Sequence, residues 1–130
     1  MSTTTSRLKS MCLVCVTTPD QDAAVTFYES LGFEKRTDTP FGGGYRWIEM
    51  YLGGDTTGIA LAPPPPDRGE VTPTNTGITL NTDDIDAAHA QMQEQGVDVD
   101  AEVSRMGDPI PPMFWFRDPS GHTLMVVEQG

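Results

Sequence analysis

The chain has 130 residues, 37% apolar and 21% charged, a balance ordinary for a soluble globular protein and long enough for a real core. Its net charge of −11, with only 8 Lys and Arg, argues against a nucleic-acid partner, because phosphate binding needs a basic footprint. No stretch approaches the roughly 18–20 apolar residues of a membrane span, and the polar Met1–Ser10 segment lacks the apolar core of a secretory signal, so a cytoplasmic protein is expected. The acidity suits either a cationic small molecule drawn in by the long-range field or a surface kept soluble in a salt-rich medium.

Met11–Thr18 is an apolar run that reads as a strand. It carries Cys12 and Cys15, a C-x-x-C whose redox use would require a helix N-terminus. On a strand, residues three apart point to opposite faces, roughly 10 Å from one another and past the ~7 Å reach of a disulfide. Two buried structural thiols are expected. Next comes a helix opened by Asp20 as N-cap and closed by Gly32, with Ala24, Phe27, Tyr28 and Leu31 forming an apolar stripe. Strands follow at Phe33–Asp38, Tyr45–Leu52 and Gly58–Ala62. The Thr39–Gly44 connection between the first two is either a lid or an ordinary hairpin loop.

Pro63–Pro66 and the polar residues after it predict a semi-rigid connector over 63–76. Beyond it the pattern repeats. Asp20-Gln-Asp-Ala-Ala24 recurs as Asp84-Ile-Asp-Ala-Ala88, an offset of 64 residues, and Gly96 closes the second helix as Gly32 closes the first. Ile85, Ala88 and Met92 make a weaker stripe. Strands are expected at Gly77–Asn81, Val99–Ser104, Met113–Arg117 and Thr123–Glu128, with Arg105–Pro112 as the counterpart of the Thr39–Gly44 loop. The fold class is therefore α+β: one domain over 1–130 built of two βαβββ modules, 7–62 and 77–128.

The run Ala24-Val-Thr-Phe-Tyr-Glu-Ser-Leu-Gly-Phe33 and the later Phe116-Arg-Asp-Pro-Ser-Gly-His-Thr-Leu124 resemble the vicinal oxygen chelate superfamily. That group includes glyoxalase I, extradiol dioxygenases, fosfomycin-resistance enzymes and bleomycin-resistance proteins. The likeness spans about Arg7 to Glu128 and is specific for fold more than for activity. It implies a partly open cup, frequent pairing into a homodimer, and in catalytic members a divalent metal held by the first and fourth strands of each module. Carried over by position, those ligands fall on Leu13, Leu61, Gly77 and Met125. None offers the imidazole or carboxylate that a hard or borderline cation wants, and a register error of one, to Ala60 or Leu124, changes nothing. No metal and no cofactor are expected.

The two histidines, His89 and His122, do not supply a metal site: the first is expected exposed or at an interface, the second as a fixer of the Asp118–Gly121 turn. No Ser-His-Asp signature, P-loop, G-x-G-x-x-G or H-E-x-x-H is present. Strand alternation instead predicts a cup lining. Ile48, Met50 and Leu52 pack under the helix, leaving Tyr45, Trp47, Glu49 and Tyr51 for the open side. The 64-residue shift adds Met113 and Trp115, and the first and last strands add Met11, Leu13, Cys15, Thr79, Asn81 and Met125. The expected ligand-binding set is Trp47, Glu49, Tyr51, Met113, Trp115, Met125, Leu13 and Thr79, aromatic and thioether-rich with few polar handles.

Three functions fit this reading. The first is a metal-free protein that binds a flat or cationic small molecule for resistance or sequestration. The second is a lyase, isomerase or dioxygenase, with Glu49 as general base if burial raises its pKa, or with an unrecognised metal site. The third is a dimeric accessory domain with no ligand at all.

Overall fold

The structure, a computed structural model, describes residues 7–64 and 71–129. In chain order the elements are β1 (Leu13–Thr17), α1 (Gln21–Ser30), β2 (Phe33–Gly42), β3 (Tyr45–Leu52), β4 (Gly58–Ala62), β5 (Asn75–Thr82), α2 (Ile85–Glu94), β6 (Asp98–Val99), β7 (Met113–Arg117) and β8 (Thr123–Glu128). They form two four-stranded sheets of the same order, β1-β4-β3-β2 and β5-β8-β7-β6, each with one parallel pair, β1–β4 or β5–β8. The expected duplicated βαβββ fold is thus present, and the sheets are not closed into a barrel. The middle of the connector lies outside the described residues; β5 begins at Asn75, two residues earlier than the hydrophobic pattern predicts.

Local chemistry starts both helices alike. The Asp20 side chain accepts from Ala23 N at 3.0 Å, and Asp84 accepts from Ala87 N at 3.0 Å. Two residues earlier, Thr18 Oγ1 and Thr82 Oγ1 each accept from the backbone N–H of the capping Asp, at 3.1 and 3.2 Å. Satisfied N-terminal N–H groups are the reason these short helices begin where they do. Gly32 and Gly96 end them with φ of 101° and 77°, which a side chain would resist.

Two connections depart from expectation. Thr39–Gly42 continue β2 and pair with β3, so the first predicted loop shrinks to the hairpin turn around Gly43 and Gly44. In the second half β6 holds only two residues, with a single further bridge from Ser104 to Met113.

The core lies on the helix-facing side of both sheets. Val16, Ile48, Met50, Ile59 and Leu61 from the first sheet join Phe114, Phe116, Leu124 and Val126 from the second in one buried cluster. Helix α1 is the joint between them. Its Phe27 ring lies 6.3 Å from Phe116, and its Tyr28 hydroxyl donates to Asp118 Oδ2 at 3.0 Å. His122 adds a second tie. Thr74 N donates to His122 Nδ1 at 3.1 Å, which leaves the proton on Nε2 to donate to Thr17 O at 2.8 Å.

The pairing register shows that one offset does not run through the whole repeat. Glu49 pairs with Ala60 in the first sheet, and its structural equivalent Trp115 pairs with Met125 in the second. The offset is therefore 64 in the first strands and helices, 66 in β3 and β7, and 65 in β4 and β8. The second module has two extra residues before β7 and one fewer before β8.

Candidate functional site

With the core on the helix side, the opposite side of each sheet carries the candidate site. On the first sheet, Trp47, Glu49 and Tyr51 alternate along β3, as the period of a strand requires. Trp47 Nε1 donates to Glu49 Oε2 at 2.7 Å, and Tyr51 Oη donates to Glu49 Oε1 at 2.7 Å. Both hydrogen bonds favour the ionised acid, so they hold the Glu49 carboxyl below the usual carboxylate range against a smaller opposing effect of burial. The same bond to Glu49 raises the Tyr51 phenol.

Arg36 extends the ladder. Its guanidinium carbon sits 4.4 Å from the Tyr51 ring centroid, while its nitrogens donate to Gly53 O and Asp55 O. Gly58, on the neighbouring strand, is what lets Tyr51 lie flat: a Cβ there would come within 2.7 Å of the ring. Leu13 of β1 pairs with this Gly58 of β4.

On the second sheet, Trp115 pairs with Met125, Met113 with Val127, and Thr79 with Met125 from the other flank. All are half-buried except Val127, which is buried, and Thr79, which is exposed. Trp115 takes the place held by Glu49 in the first module, Met113 that of Trp47, and Arg117 that of Tyr51. The predicted lining residues thus occur as two groups on two sheets. Among the described residues no hydrogen bond or ring contact joins Trp47, Glu49 and Tyr51 to Met113, Trp115 and Met125. Met11 precedes β1 and is 76% exposed.

The positions to which the family's metal ligands correspond need one correction. Leu61 is a core residue, 1% exposed beneath the helix, and does not reach the open side. A single 64-residue offset misplaces it by one, which on a strand reverses the face. The residue on the open side is Ala60, so the four positions hold Leu13, Ala60, Gly77 and Met125. No oxygen or imidazole donor occurs among them, and Glu49 on the same face has both oxygens engaged by Trp47 and Tyr51. Among the described residues no group of three His, Cys, Asp or Glu is placed to hold a metal ion. This donor set does not fit a hard divalent cation.

Three other expectations change. Cys12 and Cys15 are exposed, because β1 is an edge strand and the open side of its sheet is uncovered. His89 is 8% exposed, packed edge-on against Phe114 at 5.0 Å with Nε2 2.7 Å from Asp100 O. Glu49 has a carboxyl shifted downward, the reverse of what a general base working near neutrality needs. Sequence reasoning also missed Arg36 and Asp118. Asp118 was visible only as a turn residue, and nothing local signals that its second oxygen meets Tyr28 across the molecule.

The fold and the two open faces define a duplicated βαβββ protein of the vicinal oxygen chelate class. A family model described as Glyoxalase/Bleomycin resistance protein/Dioxygenase superfamily matches residues 11–126, and the chain belongs to that family. It is similar to TnmS3, an antibiotic binding protein from Streptomyces sp. CB03234, at 30% identity over 97% of this chain and 100% of that one, with a TM-score of 0.79. A glyoxalase/bleomycin resistance protein from the same Streptomyces is 33% identical over 91% of this chain and 99% of its own, with a TM-score of 0.71. A superfamily member from Sphaerobacter thermophilus DSM 20745 has 31% identity, coverage of 94% and 98%, and a TM-score of 0.84. No curated protein matches.

Proposed function

We propose that this chain is a metal-free binding protein that sequesters a small aromatic or cationic organic molecule, in the manner of a resistance protein. The observation that carries the reading is the Glu49 carboxylate, kept ionised between Trp47 and Tyr51 on an otherwise uncommitted sheet face. An anion framed by aromatic rings offers a cationic or planar guest both charge and ring contact. The likeness at 30% identity to an antibiotic binding protein supports it. The donor set at the family's metal positions supports the metal-free part.

The working unit is a homodimer. Each open face is half of a cup, and a second copy laid across it by a two-fold would oppose Leu13, Trp47, Glu49 and Tyr51 of one protomer to Thr79, Met113, Trp115 and Met125 of the other. Exposed apolar residues, Phe41 of β2 and Met106 of the β6–β7 connection among them, favour such a cover.

Tryptophan fluorescence titrated with a panel of polycyclic aromatic and amine-bearing antibiotics tests the proposal. Saturable quenching, lost in Trp115→Ala and weakened for amines in Glu49→Gln, is expected. If no compound quenches, the binding role is wrong and a ligand-free accessory domain takes its place. Elemental analysis is the second arm: stoichiometric Ni, Zn, Fe or Mn in the purified protein would sink the metal-free reading.

A further inference from the structure

The two modules make pseudo-equivalent contacts with each other, and only one of the two is filled. In the first, Phe27 and Tyr28 of α1 fit against Phe116 and Asp118 of the second module, with Phe27 6.3 Å from Phe116 and the Tyr28 hydroxyl bonded to Asp118. At its counterpart the α2 face looks toward Leu52 of the first module, the position equivalent to Asp118. There the matching residues are Gln91, Met92 and Gln95, two unbranched amides and a thioether where α1 has two aromatic rings and a leucine. A cavity of ≈ 300 Å³ stands at that place, bordered by Leu52, Leu80, Ala88, Met92 and Val126. Its volume is that of roughly ten waters and falls at the lower end of ligand-sized pockets. It is on the helix side of the sheets and includes neither Trp47 nor Trp115.

We infer that this cavity is a second binding site, distinct from the open sheet faces, for a compact organic cation: one ammonium or amidinium group on a single apolar ring. The apolar wall is formed by Leu31, Leu52, Leu80, Met92 and Val126. The polar rim carries the Glu29 carboxylate, the amides of Asn81, Gln91 and Gln95 and the hydroxyls of Ser30 and Thr82, with no Lys, Arg or His, so its one formal charge is negative. The last turn of α1 also borders it, and neither helix has a basic residue in its last turn to offset the negative pole of its dipole. Gln95 Nε2 donates to Ser30 O at 3.0 Å, a strap from α2 to the end of α1 that fixes the width of the mouth. Such a lining attracts positive charge and repels carboxylates.

The test is an NMR titration of the intact protein with benzylamine, beside benzoate and benzyl alcohol as the anionic and neutral counterparts. Benzylamine is expected to give saturable shifts at Leu80, Gln91 and Gln95 without quenching tryptophan, and benzoate to bind at least tenfold more weakly. Gln91→Phe, which restores the first module's residue, should weaken binding at least tenfold and raise Tm. Gln95→Leu gives the same reading should Gln91→Phe fail to fold. No saturable shift, equal binding of benzoate, or binding unchanged in the filled variant would each overturn the inference. Shifts centred on Trp47 or Trp115 would do so too, by placing the amine on the open faces.

Discussion

Tyr28 and Asp118 are 90 residues apart in sequence and 3.0 Å apart in space, and their hydrogen bond fastens the first helix to the second module. Asp118 Oδ1 simultaneously accepts from Ser120 N and His122 N, at 3.0 and 2.9 Å, so one carboxylate holds both its own turn and the far helix. Burial, and then the charge of Asp118, push the Tyr28 phenol well above its ordinary value, so it stays a donor at all working pH. Tyr28→Phe should leave Asp118 Oδ2 unpaired in a buried setting and cost about 1–3 kcal/mol. Urea unfolding checks this: the midpoint falls with little change in slope.

His122 spans the same junction from the other side. Because Thr74 N donates to Nδ1, the neutral ring must carry its proton on Nε2. Long-range ¹⁵N–¹H spectra should show that single tautomer. His122→Ala strands a backbone donor and a backbone acceptor, with an expected loss on the order of 2–3 kcal/mol.

The Glu49 ladder predicts a pH signature. Removing the indole donor in Trp47→Phe should raise the Glu49 carboxyl toward the ordinary range, because its main downward influence is gone. A ¹³C-detected titration of the Glu49 carboxyl reads this directly. An unchanged midpoint would show that the indole contact does not hold the acid.

Asp38 makes the acid limb of stability testable. Hydrogen bonds from Arg46 and then Lys35 hold its carboxyl at about 2. The native value is depressed, so this contribution is complete above the unfolded carboxylate's ~3.9 and disappears as pH falls through about 2. Asp38→Asn should therefore be less stable than the parent at pH 6 and converge with it near pH 2. The difference should stay below about 1 kcal/mol and shrink with salt, as for exposed ion pairs.

Cys12 and Cys15 report on the proposed dimer. Both are exposed in one chain, so both should react with a thiol reagent in dilute native protein. Cys15 shares the open face with Ala60 and Glu49, and a second copy laid there would shield it. Its rate should fall as protein concentration rises, while that of Cys12, ahead of the strand, changes less.

Much of the fold was legible along the chain, because it rests on short-range chemistry. Capping aspartates at 20 and 84, closing glycines at 32 and 96 and the Ile48-x-Met50-x-Leu52 period of β3 are local signals, and β3, β4, β7 and β8 run over the residues the pattern predicts. The face of β3 was legible too: Ile48 and Met50 lie at 0% exposure under the helix, with Trp47, Glu49 and Tyr51 opposite. The limit came where lengths must be compared across loops. A single offset of 64 kept β3 and β7 on the right faces only because its error there is two, and put Leu61 on the wrong face because its error there is one. Loop length leaves no local trace in a strand's pattern, so only the hydrogen-bonded register could decide it. The same holds for what the sheets do together: residue order alone specifies two similar modules and the residues on each open face. Tertiary packing decided that those faces form two separate groups, that Tyr28 and His122 lock the halves, and that Glu49 is clamped as an anion. Those outcomes depend on contacts between segments tens of residues apart, where no periodicity can register them.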